Sequence, residues 1–234
     1  MALAEYVAEV LSDSPRAYWK LDEASGLPQD SSGNGLHMTT NTGTLLYRQP
    51  GPMSSAAILY NGGTGSSRST VTTVTDNFSI ETWIKTPLLT LDNQRGVYNG
   101  NSSADGWGFL VDMSLKFKAL AGGVSFLSAS AAALSTTEFK HVVIQRSGTV
   151  WTYYVNGVED TANAGTSTPN APGAADSSIH LDGFMQAVYA HVAIYETALG
   201  AVKVADHYAA AIAPPSTARD LSIFREHHGR STSW

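Results

Sequence analysis

The chain has 234 residues, 15% of them charged, and a net charge of −6. An acidic balance of this size argues against nucleic acid as the natural partner, because phosphate binding requires a concentrated basic surface. Cysteine is absent, which removes any disulfide framework or thiol nucleophile and suits folding in a reducing compartment.

The opening segment MALAEYVAEVLSDSPRAYW carries Glu5 and Glu9 inside its apolar stretch, so it does not read as a signal peptide and the chain is expected to be made in the cytoplasm. Leu3, Val7, Val10 and Leu11 fall at helical spacing, and Ser12-Asp13-Ser14-Pro15 ends the pattern. This predicts a short helix or arm over residues 1–14 whose apolar stripe docks on the following domain.

From Ala17 onward, runs rich in Val, Ile, Thr and aromatic residues alternate with Gly/Ser/Asn/Asp clusters. The predicted strands are Ala17–Leu21, Ala56–Tyr60, Phe78–Lys85, Gly108–Asp112, Lys116–Ala121, His141–Arg146, Thr149–Asn156 and Ala187–Tyr195. In Phe78–Lys85, one face carries Phe78, Ile80, Thr82 and Ile84, and the other Ser79, Glu81, Trp83 and Lys85. That period of two predicts a half-buried strand with Glu81 on its polar face. Ser147-Gly148 reads as a tight hairpin turn, and Asn163–Ser177 as a loop. Helical spacing returns at Ala201–Ile212 through Val202, Ala205, Tyr208, Ala209 and Ile212, and Pro214-Pro215 stops it. Residues 215–234 are polar and aperiodic. The expected organisation is an N-terminal helix over 1–14, one sandwich domain over 15–213, and an extended tail over 214–234. No run approaches the ~18 apolar residues of a membrane helix, so membrane insertion is not expected.

Five segments, in this order, resemble the laminin-G-like, concanavalin A-like jelly-roll family: AYWKLDEASGLPQDSSGNG (17–35), AAILYNGG (56–63), FSIETWIK (78–85), FKHVVIQRSGTVWTYYVNGV (139–158) and AVYAHVAIYETALGAVKVADHY (187–208). The resemblance implies an all-β, two-sheet antiparallel jelly-roll sandwich with short terminal helices. The opening "Y-x-A-x-V-L-x-D-S-P-x-A-Y-W-x-L" is similar to the way bacteriophage tail and virion proteins begin such a module. It implies a virion surface protein, tail-associated or decorating the capsid, with other virion proteins and further copies of itself as partners. A stand-alone lectin and a ligand-free structural cement are the alternatives.

Three groups of residues invite a chemical reading. Asp30-Ser31-Ser32-Gly33-Asn34-Gly35 places side-chain oxygens at alternate positions before a glycine, and with Asp22 this makes Asp22, Asp30 and Asn34 candidate calcium ligands. The twelfth position from Asp30 is Asn41 rather than glutamate, so this is not an EF-hand. The acids that calcium-binding family members carry in the last long strand are here Ala190 and His191, which weakens the calcium reading in favour of an Asx turn. In Tyr98–Trp107, Tyr98 and Trp107 would stack on a sugar while Asn99, Asn101 and Asp105 bond its hydroxyls; the competing reading turns both aromatics into the core. On the tail, Ile223, Phe224 and Trp234 are either anchors onto a neighbouring subunit or part of a disordered end. Paired carboxylates with glycosidase spacing, a Gly-x-Ser-x-Gly elbow and a His-Glu-x-x-His motif are all missing. The chain therefore reads as a non-enzyme, without a cofactor unless calcium, whose ligand would be bacterial cell-surface glycan.

Overall fold

The computed structural model describes residues 2–88, 92–173, 178–181 and 186–214. Helix α1 spans Ala2–Ser12. Strands follow among the described residues: β1 (Ala17–Trp19), β2 (Thr40–Thr42), β3 (Leu46–Pro50), β4 (Ala56–Asn61), β5 (Gly65–Ser67), β6 (Phe78–Leu88), β7 (Gln94–Gly100) and β8 (Trp107–Val111); then β9 (Lys116–Ala121), β10 (Ser125–Ala133), β11 (Lys140–Ser147), β12 (Val150–Val155), β13 (Val158–Glu159), β14 (Gly165–Thr166), β15 (Ser178–Leu181) and β16 (Gln186–Tyr195). Helix α2, Gly200–Ile212, closes the described part of the chain.

The strands form two antiparallel sheets and a small β2–β5 ribbon. The larger sheet runs β13-β12-β11-β6-β16-β4-β3, with β1 added on β16 and β14 on β12; the smaller runs β10-β9-β8-β7-β15. Their facing sides enclose the main core, in which Phe78 stacks on Trp107 with centroids 3.9 Å apart and meets Trp151 edge-on at 5.1 Å. Strands β11 and β12 join through the two residues Gly148-Thr149, with Gly148 at φ +57, where an L side chain would be strained. This is the jelly-roll sandwich that the family resemblance implied.

Strand β6 departs from its expected half-burial. Ser79, Glu81 and Trp83, nominally its solvent face, are buried, because α1 and α2 lie across that side and make a second core with Tyr6, Val10, Tyr195, Val204 and Ala211. Helix α2 also docks through a different stripe from the one its apolar spacing suggested. Val204, His207 and Ala211 are buried, while Val202 and Ile212 are 73% and 60% exposed. Tyr208 of the expected stripe still packs on this core, and His207 on the buried stripe reaches Glu81.

Glu81 is fully enclosed, and its two carboxylate oxygens accept hydrogen bonds from Tyr6 Oη (2.9 Å), Tyr195 Oη (2.7 Å), His141 Nε2 (2.8 Å) and His207 Nδ1 (3.0 Å). The other ring nitrogen of His207 meets Asp13 Oδ2 at 3.1 Å, and Lys203 pairs with Asp13 as well. One carboxylate thus joins α1, β6, β11, β16 and α2. Burial opposes its ionisation, but hydrogen bonds from His141 and His207 and their charge outweigh that, holding Glu81 well below the usual carboxylate range. Burial pushes the His207 imidazole down, and the bond to Glu81 with its charge reverses this, leaving it raised.

The two shifts fix a stability window. The contribution of Glu81 is present above its ordinary value of 4.5 and lost as the pH falls toward its depressed folded value. The contribution of His207 is complete below its ordinary 6.5 and lost as the pH rises through its raised folded value. Buried His191, its imidazole pushed down to about 4, withdraws stability as the pH falls below 6.5, so thermal unfolding should show its maximum near pH 6.5. Glu81→Gln should lower stability by about 3–5 kcal/mol, as for one partner removed from a buried pair, and flatten both flanks of the profile. A variant with unchanged flanks would show that the network does not govern them.

Candidate functional site

The antiparallel pairing of Ala17 with Ile194 brings Arg16, just before β1, beside Glu196, just after β16. Arg16 N–H donates to Ile194 O at 2.7 Å, and Arg16 Nε lies 3.8 Å from Glu196 Oε1 and 3.3 Å from Val71 O. Thr72 Oγ1 donates to the same Glu196 oxygen. Together with Ser69–Thr73 these residues line a recess of about 370 Å³ at one end of the sandwich. The Arg16 and Glu196 side chains are 41% and 45% exposed, so their mutual attraction contributes little to stability.

Among the described residues, neither Nη group of Arg16 nor Oε2 of Glu196 has a hydrogen-bond partner. A rigid donor fork and a free carboxylate oxygen stand side by side within a wall of hydroxyls. Adjacent ligand hydroxyls, each able to donate and accept, complement that pair.

The recess is braced from two directions. Asn99, fully buried on β7, accepts from Val71 N at 3.1 Å and donates to Thr72 O at 2.9 Å, so one amide clamps the backbone of the lining loop. Trp107 Nε1 donates to Val74 O at 2.8 Å, and Thr70 Oγ1 to Gly173 O at 2.9 Å. From the other side, Asn34 Nδ2 donates to Arg16 O at 3.1 Å and to Pro15 O at 3.2 Å. The Asp30 carboxylate accepts from Tyr18 N, Ser32 N, Ser32 Oγ and Leu36 N at 2.8–2.9 Å.

These bonds reassign the residues singled out from the sequence. Tyr98 and Trp107 are completely buried, Trp107 within the aromatic stack and Tyr98 against Leu110 and Leu120, so neither presents a face to a sugar. Asn101 and Asp105 hold their own hairpin: Asp105 Oδ1 accepts from Asn101 N, Asn101 Oδ1 from Ser103 N, and Tyr98 Oη donates to Asp105 O. The calcium reading fails for a similar reason. Asp30 is saturated by protein donors, Asn34 directs its amide NH₂ to carbonyls, and Asp22 pairs with Lys20 at 3.5 Å. The described residues hold no grouping of three acidic or histidine side chains able to bind a metal ion. At the position of the missing strand acids, Ala190 and His191 are buried; His191 Nδ1 lies 2.7 Å from Tyr18 Oη, and burial pushes its imidazole down to about 4. Burial opposes the acid Asp30 in the same way, but its four donors win and hold it below the usual range. Ile223, Phe224 and Trp234 lie outside the described residues.

Sequence reasoning missed Arg16 and Glu196 because nothing in the segments that contain them marks either for a chemical role. Their proximity follows from a strand register spanning nearly the whole chain. The family model described as the concanavalin A-like lectin/glucanases superfamily matches residues 61–205, more than half of the chain. The chain belongs to this superfamily. No curated protein matches it in sequence.

Solved structures extend the likeness of this superfamily member to the fold alone. The binding domain of Paraclostridial Mosquitocidal Protein 1 superposes with a TM-score of 0.65 at 18% identity, over 85% of this chain and 52% of that one. Domain 4 of an extracellular arabinanase from Geobacillus stearothermophilus, solved in complex with arabinotriose, gives 0.63 at 19% identity, over 83% of this chain and 98% of that one. Trypanosoma rangeli sialidase gives 0.61 at 12% identity, over 88% of this chain and 37% of that one. The chain thus spans about half of the mosquitocidal binding domain and nearly all of the arabinanase domain.

If Asn99 is the clamp described, Asn99→Ala leaves Val71 N–H and Thr72 C=O unpaired in the interior and should destabilise the protein by about 1–3 kcal/mol. Amide exchange should accelerate at residues 71–74 ahead of the rest of the sandwich, and uniform acceleration would argue against a local brace.

Proposed function

We propose that the protein is a non-catalytic carbohydrate-binding module that takes a neutral, diol-bearing saccharide in the Arg16–Glu196 recess. The observation that carries this reading is the free donor fork beside a free carboxylate oxygen, on backbone fixed from both sides. The arabinotriose in complex with the arabinanase domain supports a sugar as ligand class. Binding without cleavage is favoured by the single carboxylate among the lining residues, since glycoside hydrolysis uses two. Glu81, the most perturbed acid, is enclosed beneath the helices.

A shallow, open site of this kind binds weakly, on the order of 1 mM, or about −4 kcal/mol. Repetition on one particle multiplies such affinities. On this reading the protein sits on a bacteriophage virion, in the tail or on the capsid, and contacts bacterial surface glycan. The similarity of its opening segment to phage modules is the support for that placement. Cryo-electron microscopy of particles that copurify with the native protein tests it, and copurification with no particle would favour the free lectin.

The glycan reading is tested by titrating neutral oligosaccharides, arabinotriose among them, into the protein while following its amide resonances. Saturable shifts should centre on residues 16, 69–73 and 196. Glu196→Gln should weaken binding about tenfold, roughly 1.4 kcal/mol, with the melting temperature unchanged. Unaltered affinity in the folded variant would remove Glu196 from the site.

A further inference from the structure

A second opening lies by β3, the edge strand of the larger sheet, and α1. Two recesses share Asp22: one of about 440 Å³, lined by Asp22, Arg48, Gln49 and Ser54 among others, and one of about 370 Å³, lined by Leu3, Ala4, Val7, Lys20 and Asp22. They meet at Asp22, with an aliphatic wall from α1 on one side of it and a polar wall from β3 and the turn that follows it on the other.

The charges in the cleft do not cancel. Lys20 and Asp22 pair at 3.5 Å, and Glu23, the neighbouring acid, turns onto Gln29 N at 2.7 Å. Arg48 is exposed and, among the described residues, no hydrogen bond or ion pair holds its guanidinium. The lining therefore carries one uncompensated positive charge on a chain of net charge −6. Gln49 directs its amide NH₂ to Tyr47 O at 3.1 Å, which leaves its carbonyl oxygen unbonded. Leu21, Arg48, Met53 and Ser54, which line or adjoin the cleft, adopt left-handed backbone at φ +54 to +60. Non-glycine residues held there need surrounding structure to enforce the conformation, so this edge is fixed by its context.

We infer that this cleft is a second binding site and that it takes a carboxylate-bearing saccharide of the uronate type. The carboxylate would meet the planar donor fork of Arg48, which suits carboxylate geometry better than an ammonium does. The sugar's C–H face would lie against Leu3 and Val7, with Gln49 and Asp22 bonding its hydroxyls.

The test uses the full chain with trigalacturonate, compared with its neutral methyl ester, by amide-resonance titration. The free acid should bind at least tenfold more tightly than the ester and lose affinity as salt is raised. Arg48→Gln should reduce acid binding to the ester's level, Arg48→Lys should restore part of it, and Glu196→Gln should leave it unchanged. Because Arg48 is exposed, both Arg48 variants should keep the parent melting temperature. Equal binding of acid and ester, indifference to Arg48→Gln, or loss with Glu196→Gln would overturn the assignment, the last by moving the acid to the Arg16–Glu196 recess. Failure at Arg48 alone leaves the neutral-glycan site standing, and the reverse also holds.

Discussion

A single carboxylate governs how this sandwich is built on its outer side. Glu81 sits at the middle of β6, the strand at the centre of the larger sheet, on a face that alternation alone would expose. Left unpaired in the interior, an ionised carboxyl would be prohibitively unfavourable; with two tyrosine hydroxyls and two imidazoles it is satisfied. The two helices occupy their places because Tyr6 and His207 supply half of those bonds. Buried charge of this sort is weak evidence for net stability, but the geometric demand of four donors suits a role in fixing where the helices lie.

That placement bears on both openings. With α1 held by Tyr6, the chain leaving it through Asp13 and Pro15 delivers Arg16 to the end of β16, where Glu196 emerges. The same helix turns Leu3, Ala4 and Val7 toward Asp22 to wall the second cleft. Each joins segments apart in sequence, and the backbone of the Arg16–Glu196 recess is held by the Asn99 amide, the Asp30 carboxylate and the Trp107 indole.

The polar side chains divide into two kinds. Asp30, Asn34, Asn99 and Trp107 have their hydrogen-bonding capacity directed into the protein, and their substitution should register as altered stability or loop exchange. Arg16, Glu196 and Arg48 keep donors or acceptors unbonded at the surface, and their substitution should register in binding with little structural consequence. Residue type does not separate the two kinds, since an asparagine or aspartate serves equally as ligand or brace. Burial and existing partners do.

The sequence by itself determined the strands and the hairpin, because runs such as Phe78–Lys85 and the turn at Gly148 are local constraints, and the resemblance of five segments to the jelly-roll family implied the sandwich. It also marked the two polar clusters, Asp30–Asn34 and Tyr98–Trp107, that matter to the recess. Only the tertiary structure decided what they do. Whether Trp107 meets solvent depends on Phe78, and whether Asp30 is free for a cation depends on Tyr18 and Leu36. Helix α2 shows the same limit: its apolar stripe was legible, but its buried face carries the bond from His207 to a carboxylate 126 residues away. Periodicity reports local preference, whereas pairing of buried polar groups is settled by contacts that exist only once the chain has folded.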